Sequence, residues 1–484
     1  MTDIRNLHFK RLFALNMYKN KYLLLARMSF DKDFINDKRG DMYPAVESAG
    51  VFSESVENGK YTFSSSEGGA YTSRLLCRHF PYASYCIKAS LLDGECGIML
   101  KGEEASGTIL FSNESGKIKI TDRKEVFFTD INFEDATAFT VTCRREKFDI
   151  YITVDSGYKY IKTFELPEFR NIAKENVFSV TTASLYVSGR VCVKMAESRL
   201  DCGISQADIR PIRYENGETM AEQGRIYLTA SIRMQEECYQ GIFSWLPGTC
   251  EFEMTGALFF DAGDGVWSND VATSMIYHRG ERKWLLWVCS FSHGHILGSA
   301  RFGGDVRFGI NVADITLMEI MPENAPDTAF LGKEGDEDPD FIYDEEKKKW
   351  YMIICRTVTD ENRKRNYRYF LFESNKPFEG YKYLACSRSG SETGGSILRI
   401  DGRYYLTCGN SFTERANYRC YSLPDMENFT LMVHDYDDGG FRGWGTVIPV
   451  KKGSRTVYYH LTFDRHRGSS YNWSYGNIYC FMAK

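Results

Sequence analysis

The 484-residue chain contains 14 cysteines, but no CxxC pair and no compact group of Cys and His. A disulfide scaffold is short and Cys-dense, so that class is excluded. Thiols scattered through apolar segments, such as Cys289, Cys355, Cys408 and Cys480, are expected to be reduced and buried, as in the cytoplasm. No apolar run reaches the roughly 18 residues that span a membrane, so no membrane partner is expected. Positive charge is not in excess either. The 60 Lys and Arg against 65 Asp and Glu give a net charge of -5, without the basic stripe that nucleic acid needs. The first residues, MTDIRNLHFKRLFALNMYKNKYLLLARM, have neither the clean apolar core nor the small-residue cleavage site of a secretory leader, which adds to the expectation of a cytoplasmic protein.

Aromatic residues are abundant, at 15%, with 31 Tyr and 33 Phe. They favour β structure and surfaces on which flat sugar rings stack. The length exceeds one ordinary core, so two or three domains are expected. Residues 1–47 carry Leu and Phe at mixed helical spacings and are expected to be a partly helical lead-in. From 48 to 205 the apolar period changes to two, as in Tyr85 to Ser90, Thr108 to Phe111 and Phe148 to Ile152. Many short strands between Gly, Asn and Asp turns predict a β-sandwich. The run FTVTCRREKFDIYITVDSGYKYIKTFEL resembles the back half of a concanavalin-like jelly roll, and such domains bind sugar or serve as scaffolds.

Residues 206–484 repeat. Five strand–turn–strand segments align by their turns: AEQGRIYLTAS, YHRGERKWLLWV, YDEEKKKWYMII, RIDGRYYLTCG and VKKGSRTVYYHL. Their second strands open at Ile226, Trp284, Trp350, Tyr404 and Val457, at intervals of 58, 66, 54 and 53 residues. Each is followed by another strand of the same kind. Four strands per repeat at a period near 55 residues predicts propeller blades. The fold class expected is therefore all-β, an N-terminal sandwich of jelly-roll type followed by a five-bladed propeller.

The first strand of each blade lines the channel, and acids at its start ring one mouth. The stretch GDEDPDFIYDEEKKKWY presents Asp338 there, WSNDVATSMIY presents Asp270 and SETGGSILRIDGRYYL presents Glu392. Two carboxylates facing across a glycosidic bond suffice to hydrolyse it, one donating a proton and the other activating water or attacking the sugar. A third can tune the acid. An acid at a strand start is also an ordinary solvated turn residue, so it is the alignment of three that points to chemistry.

These segments resemble the five-bladed propeller glycoside hydrolases typified by family 43. Asp338-Pro339 with Asp344 six residues on fits that family's spacing, as do Glu392-Thr393-Gly394-Gly395 and the following Asp401-Gly402-Arg403-Tyr404-Tyr405. Val457-Tyr458-Tyr459-His460 is similar to its last blade, where a His points into the channel. The resemblance covers about residues 210–484. It implies a glycosidase acting on an oligosaccharide, of arabinofuranoside or xyloside type, with Glu392 as general acid and Asp338 as its orienter. The family's first blade carries an Asp as base. Here the segment before the first hairpin offers Glu215 and Glu218, and Asp270 falls in the second blade. Asn269-Asp270 faintly resembles the nucleophile pair of the related fructan-cleaving enzymes. A non-catalytic carbohydrate-binding propeller is the competing expectation. A sialidase would show S-x-D-x-G-x-T-W boxes, which are missing.

Secondary candidates are Trp267 and Trp444 as sugar platforms or core residues, and Arg356 as a substrate clamp or an ion-pair partner. His460 is read as a channel ligand or a core histidine. His293 and His295 share a strand face, as a metal pair or as loop residues. No cofactor is expected, although a structural cation in the channel is compatible with the fold.

Overall fold

A computed structural model of the protein describes residues 2–17, 19–31, 34–35, 43–113, 116–120, 125–129, 133–155, 157–325, 334–359, 365–388, 390–410, 417–435, 441–465 and 475–484. The chain divides into two compact units. One comprises Met1–Lys21, Cys202–Asp264 and Ser268–Lys484; the other comprises Tyr22–Asp201 with Gly265–Trp267. Among the described residues no helix is long and apolar enough to cross a membrane.

The unit built on Tyr22–Asp201 contains a seven-stranded and an eight-stranded sheet. Alternation along each strand feeds one apolar cluster from both. Tyr61, Ile87, Val141 and Ile150 come from the larger sheet, Ile98, Phe111 and Leu185 from the smaller. The long strand Arg190–Asp201 changes partner halfway. Its first half pairs with Lys60–Ser64 and its second half with Tyr22–Met28.

The other unit is a five-bladed propeller. Its inner strands are Ser205–Pro211, Val271–His278, Gly335–Asp344, Glu392–Ile400 and Phe441–Lys452, each at the edge of, or one strand in from the edge of, its own sheet. The expected hairpins are present. Trp284, Trp350, Tyr404 and Val457 pair with Tyr277, Tyr343, Arg399 and Val450 of their inner strands. Ile226 is the exception. Its inner strand has already ended at Pro211, and Ile226 pairs with Ala221 of a short added strand. All five residues are buried.

The expected helical lead-in is corrected. Apart from one turn at Ile4–Asn6, residues 8–15 and 22–28 are strands. Tyr22–Met28 joins the eight-stranded sheet. His8–Leu15 lies in blade five, antiparallel to Tyr475–Ala483 and parallel to Val433–His434. The last blade thus takes its fourth strand from the start of the chain. An open edge of unpaired N–H and C=O groups outweighs a local helical spacing, because pairing satisfies every one of them.

Candidate active site

The inner strands of blades one to four share an irregularity. Register breaks between Ala207 and Arg210, Val271 and Ser274, Glu337 and Asp340, and Thr393 and Ser396. One residue inside each break is left-handed: Asp208 (φ 49°), Ala272 (59°), Asp338 (49°) and Gly394 (63°). These are bulges at equivalent places, and a bulge re-aims the side chain it carries. A left-handed non-glycine costs roughly 1–2 kcal/mol. At Gly394 no side chain fits at all, since a Cβ would lie 2.3 Å from Cβ of Trp444.

The alignment puts Asp338 opposite a residue that sequence reasoning missed. Its counterpart is Asp208 of blade one, not Asp270 or Glu392. The reason lies in the spacing. From Ala272 to Trp284 and from Asp338 to Trp350 is 12 residues, whereas from Asp208 to Ile226 is 18, because the excursion through Glu215 and Glu218 intervenes. Counting back from the hairpin turn therefore lands in that excursion. The usable signal was Ser205-Gln206-Ala207-Asp208-Ile209-Arg210, an alternating segment one insertion further upstream.

Asp208 and Asp338 are each less than one tenth exposed. Oδ2 of Asp208 accepts from the Ser231 hydroxyl at 2.6 Å and lies 3.4 Å from Arg233. Asp338 accepts from the Gly394 backbone N–H at 2.8 Å and has Arg210 at 3.8 Å. Burial and then the charge of Asp208 push the Asp338 carboxyl up to about 7, against the pull of Arg210. A narrow cavity of about 10 Å³ beside Asp208 is lined by Asp208, Arg210, Gly394, Ser396, Trp444 and Thr446.

Two buried arginines tie the inner strands together. Arg210 donates to the carbonyls of Ala272 and Pro339, both at 2.9 Å, and of Gly395 at 3.0 Å, so one guanidinium links the inner strands of blades two, three and four. Arg213 bonds the Ile397 carbonyl and the Asp340 carboxylate. Asp340 also accepts from the Ser396 hydroxyl and the Ile397 N–H, at 2.9 and 2.8 Å. Among the described residues no group of three or more His, Cys, Asp or Glu could hold a metal ion, and His293 and His295 do not form one.

The other expected site residues are placed differently. Asp270 and Glu392 sit two residues ahead of the bulges in their own blades, as does Asp336 in blade three. From there each turns to partners in its own blade. Asp270 is buried and accepts from the hydroxyls of Ser268, Ser290 and Ser292 at 2.8, 2.7 and 3.0 Å, and from the Ser292 N–H at 3.1 Å. Asn269 is half-buried on the same segment. Asp336 binds Arg356 at 2.8 Å with both side chains fully buried, and the Phe370 and Phe372 rings flank the guanidinium. Arg356 is therefore an ion-pair partner and not a substrate clamp. Glu392, fully buried, pairs with Arg419 at 2.8 Å and accepts from the Tyr421 hydroxyl, while its Oε2 has no hydrogen-bond partner among the described residues.

Glu215, offered as an alternative base, is bonded to Arg279 at 2.9 Å, and Glu218 lies near Lys451. Trp267 belongs to the two-sheet unit, with its ring edge-on to Phe178 at 4.7 Å and to Phe80 at 5.6 Å. Trp444 does reach the cavity, packed on Gly394 and edge-on to Phe463. His460 is a core histidine of blade five. It is hydrogen-bonded to His434 and edge-on to Tyr418 at 4.7 Å, its Nε2 is directed at Gly445, and burial pushes its affinity for a proton well down.

No family model matches the chain, and no curated protein matches it. Solved structures do align with it. The catalytic domain of the GH62 α-L-arabinofuranosidase of Coprinopsis cinerea covers 57% of this chain and 90% of its own, at 11% identity and a TM-score of 0.38. The exo-β-1,3-galactanase of Clostridium thermocellum covers 57% and 62%, at 14% identity and 0.38. Bacillus subtilis levansucrase covers 57% and 83%, at 12% identity and 0.43. At these scores the likeness carries neither activity nor residue roles onto this chain.

Proposed function

We propose that this protein is a glycoside hydrolase whose acid–base chemistry is carried by Asp208 and Asp338. The observation behind the reading is the pair itself: two carboxyls on equivalent bulges of the propeller axis, one of them pushed up to about 7 beside the other. A carboxyl whose hold on its proton is raised by burial and by a second carboxyl is a candidate proton donor. Asp208, hydrogen-bonded to Ser231 and beside Arg233, is the base or nucleophile; Asp338 holds the proton. Glu392, held by Arg419, is assigned to positioning the blade-four strand whose Gly394 N–H binds Asp338. The substrate is an oligosaccharide, of pentose-containing type by the sequence resemblance. The two-sheet unit is read as a β-sandwich of concanavalin-like pattern, and the 14 unbonded cysteines support a cytoplasmic setting.

A non-catalytic carbohydrate-binding propeller is the second reading, favoured by the way Asp270 and Glu392 are tied into their own blades. Turnover of aryl arabinofuranosides and xylosides by the full chain, beside Asp208→Asn and Asp338→Asn, separates the two. General acid–base catalysis contributes typically about 10²–10⁴-fold, so losses of that order are expected in both variants. Binding of xylo- or arabino-oligosaccharides without turnover would support the second reading.

A further inference from the structure

The turn after the second strand of blade two folds back onto the start of blade three's inner strand, and His295 makes the contact. Its backbone is left-handed, at φ 64°. Its N–H donates to the Ser290 carbonyl at 3.0 Å, and its own carbonyl accepts from the Asp336 N–H at 2.9 Å. The imidazole lies against Phe291, with centroids 4.3 Å apart. Gly335 makes room for it, since a Cβ there would meet the ring at 2.9 Å. Nε2 then stands 3.1 Å from Oε1 of Glu337, an approach by proximity and not by an aligned hydrogen bond. The two side chains are 22% and 19% exposed, so the pair sits at the rim. Glu337 directly precedes Asp338, and its charge opposes ionisation of that carboxyl.

We propose that His295 and Glu337 are positioning residues for the carboxyl pair: Glu337 presents negative charge beside Asp338, and the imidazole packed against Glu337, when it carries a proton, offsets that charge. The proposal rests on reading Asp208 and Asp338 as the reacting groups. The other groups facing Asp338 are Asp208 and Arg210 from blade one, the Gly394 N–H from blade four, Tyr369 and Cys355 within blade three, and Cys289 from blade two. Those are buried in the propeller. Glu337 and His295 reach the rim, where the balance can be altered without unpacking the core.

Two substitutions should move Asp338 in opposite directions. Glu337→Gln removes a like charge at constant shape, so Asp338 should lose its proton at lower pH. His295→Asn removes the imidazole while keeping a residue that tolerates the left-handed backbone, leaves Glu337 uncompensated, and should shift the loss to higher pH. Shifts of about one to two pH units are the upper expectation for charges roughly 6–10 Å apart at an effective dielectric near 20. The double variant should follow Glu337→Gln alone. The readout is the infrared band of the protonated Asp338 carboxyl, identified by its disappearance in Asp338→Asn and followed against pH in the full chain. This titration needs no turnover, so it stands even if no glycoside is cleaved. Where turnover occurs, the alkaline limb of the kcat/KM profile should shift in parallel. A titration left unmoved by both variants, or moved the same way by both, overturns the proposal.

Discussion

Replacing Asp338 with Asn tests the electrostatics of the site independently of any substrate. In the folded protein this carboxyl is raised from its ordinary 3.8 to about 7, by burial first and the charge of Asp208 second. A raised carboxyl means the fold binds a proton that the unfolded chain has released. The associated stability is fully present below about pH 4 and is lost as pH rises through about 7. At about 1.36 kcal/mol per unit the whole swing is about 4 kcal/mol, an upper figure because the two acids share their charge. Asparagine keeps the shape and the oxygen that accepts from Gly394, but it has no proton to lose. The variant should therefore melt close to the parent near pH 4, gain on it steadily to pH 7, and hold a constant lead above that. Calorimetric melts of the two proteins run in parallel across this range give the difference directly. A difference that stays flat with pH would show that Asp338 ionises normally in the fold and would remove the basis for the acid–base pair.

Four further outcomes follow from the same structure. Asp208→Asn should bring the Asp338 titration down toward the usual carboxyl range, read by the same infrared band; an unchanged band would separate the two acids. Arg419→Met should destabilise the propeller by about 3–5 kcal/mol by leaving Glu392 charged and buried, whereas Glu392→Gln should cost clearly less, as urea unfolding will show. Gly394→Ala should be strongly destabilising, because the backbone is left-handed and the new methyl would meet Trp444, and a melting temperature within error of the parent would refute that packing. Thiol labelling of the denatured, unreduced chain should count 14 free cysteines, and the native protein should react first at the exposed Cys250.

The periodic features of this protein were legible in the amino-acid order. Alternation at period two gave the strands, and the turns before Trp284, Trp350, Tyr404 and Val457 gave the blades, because a blade is a local object whose hairpins close within a few residues. Asp338 stands out in the sequence as the acid of an Asp-Pro pair at the start of a strand. What failed were the assignments that depend on which distant strands meet. His8–Leu15 carries a weak helical spacing and becomes a strand only because blade five offers it an edge at the other end of the chain. Asp208 lies behind an insertion that breaks the count, and only the superposed bulges pair it with Asp338. Asp270 and Glu392 stand just before and at the starts of inner strands, as the sequence suggests, but their carboxylates bond Ser290 and Arg419 within their own blades. Sequence spacing determines which residues can neighbour one another within a hairpin. Where a side chain points across a bulge, and which charges then face each other on the axis, is decided by the closed ring of sheets.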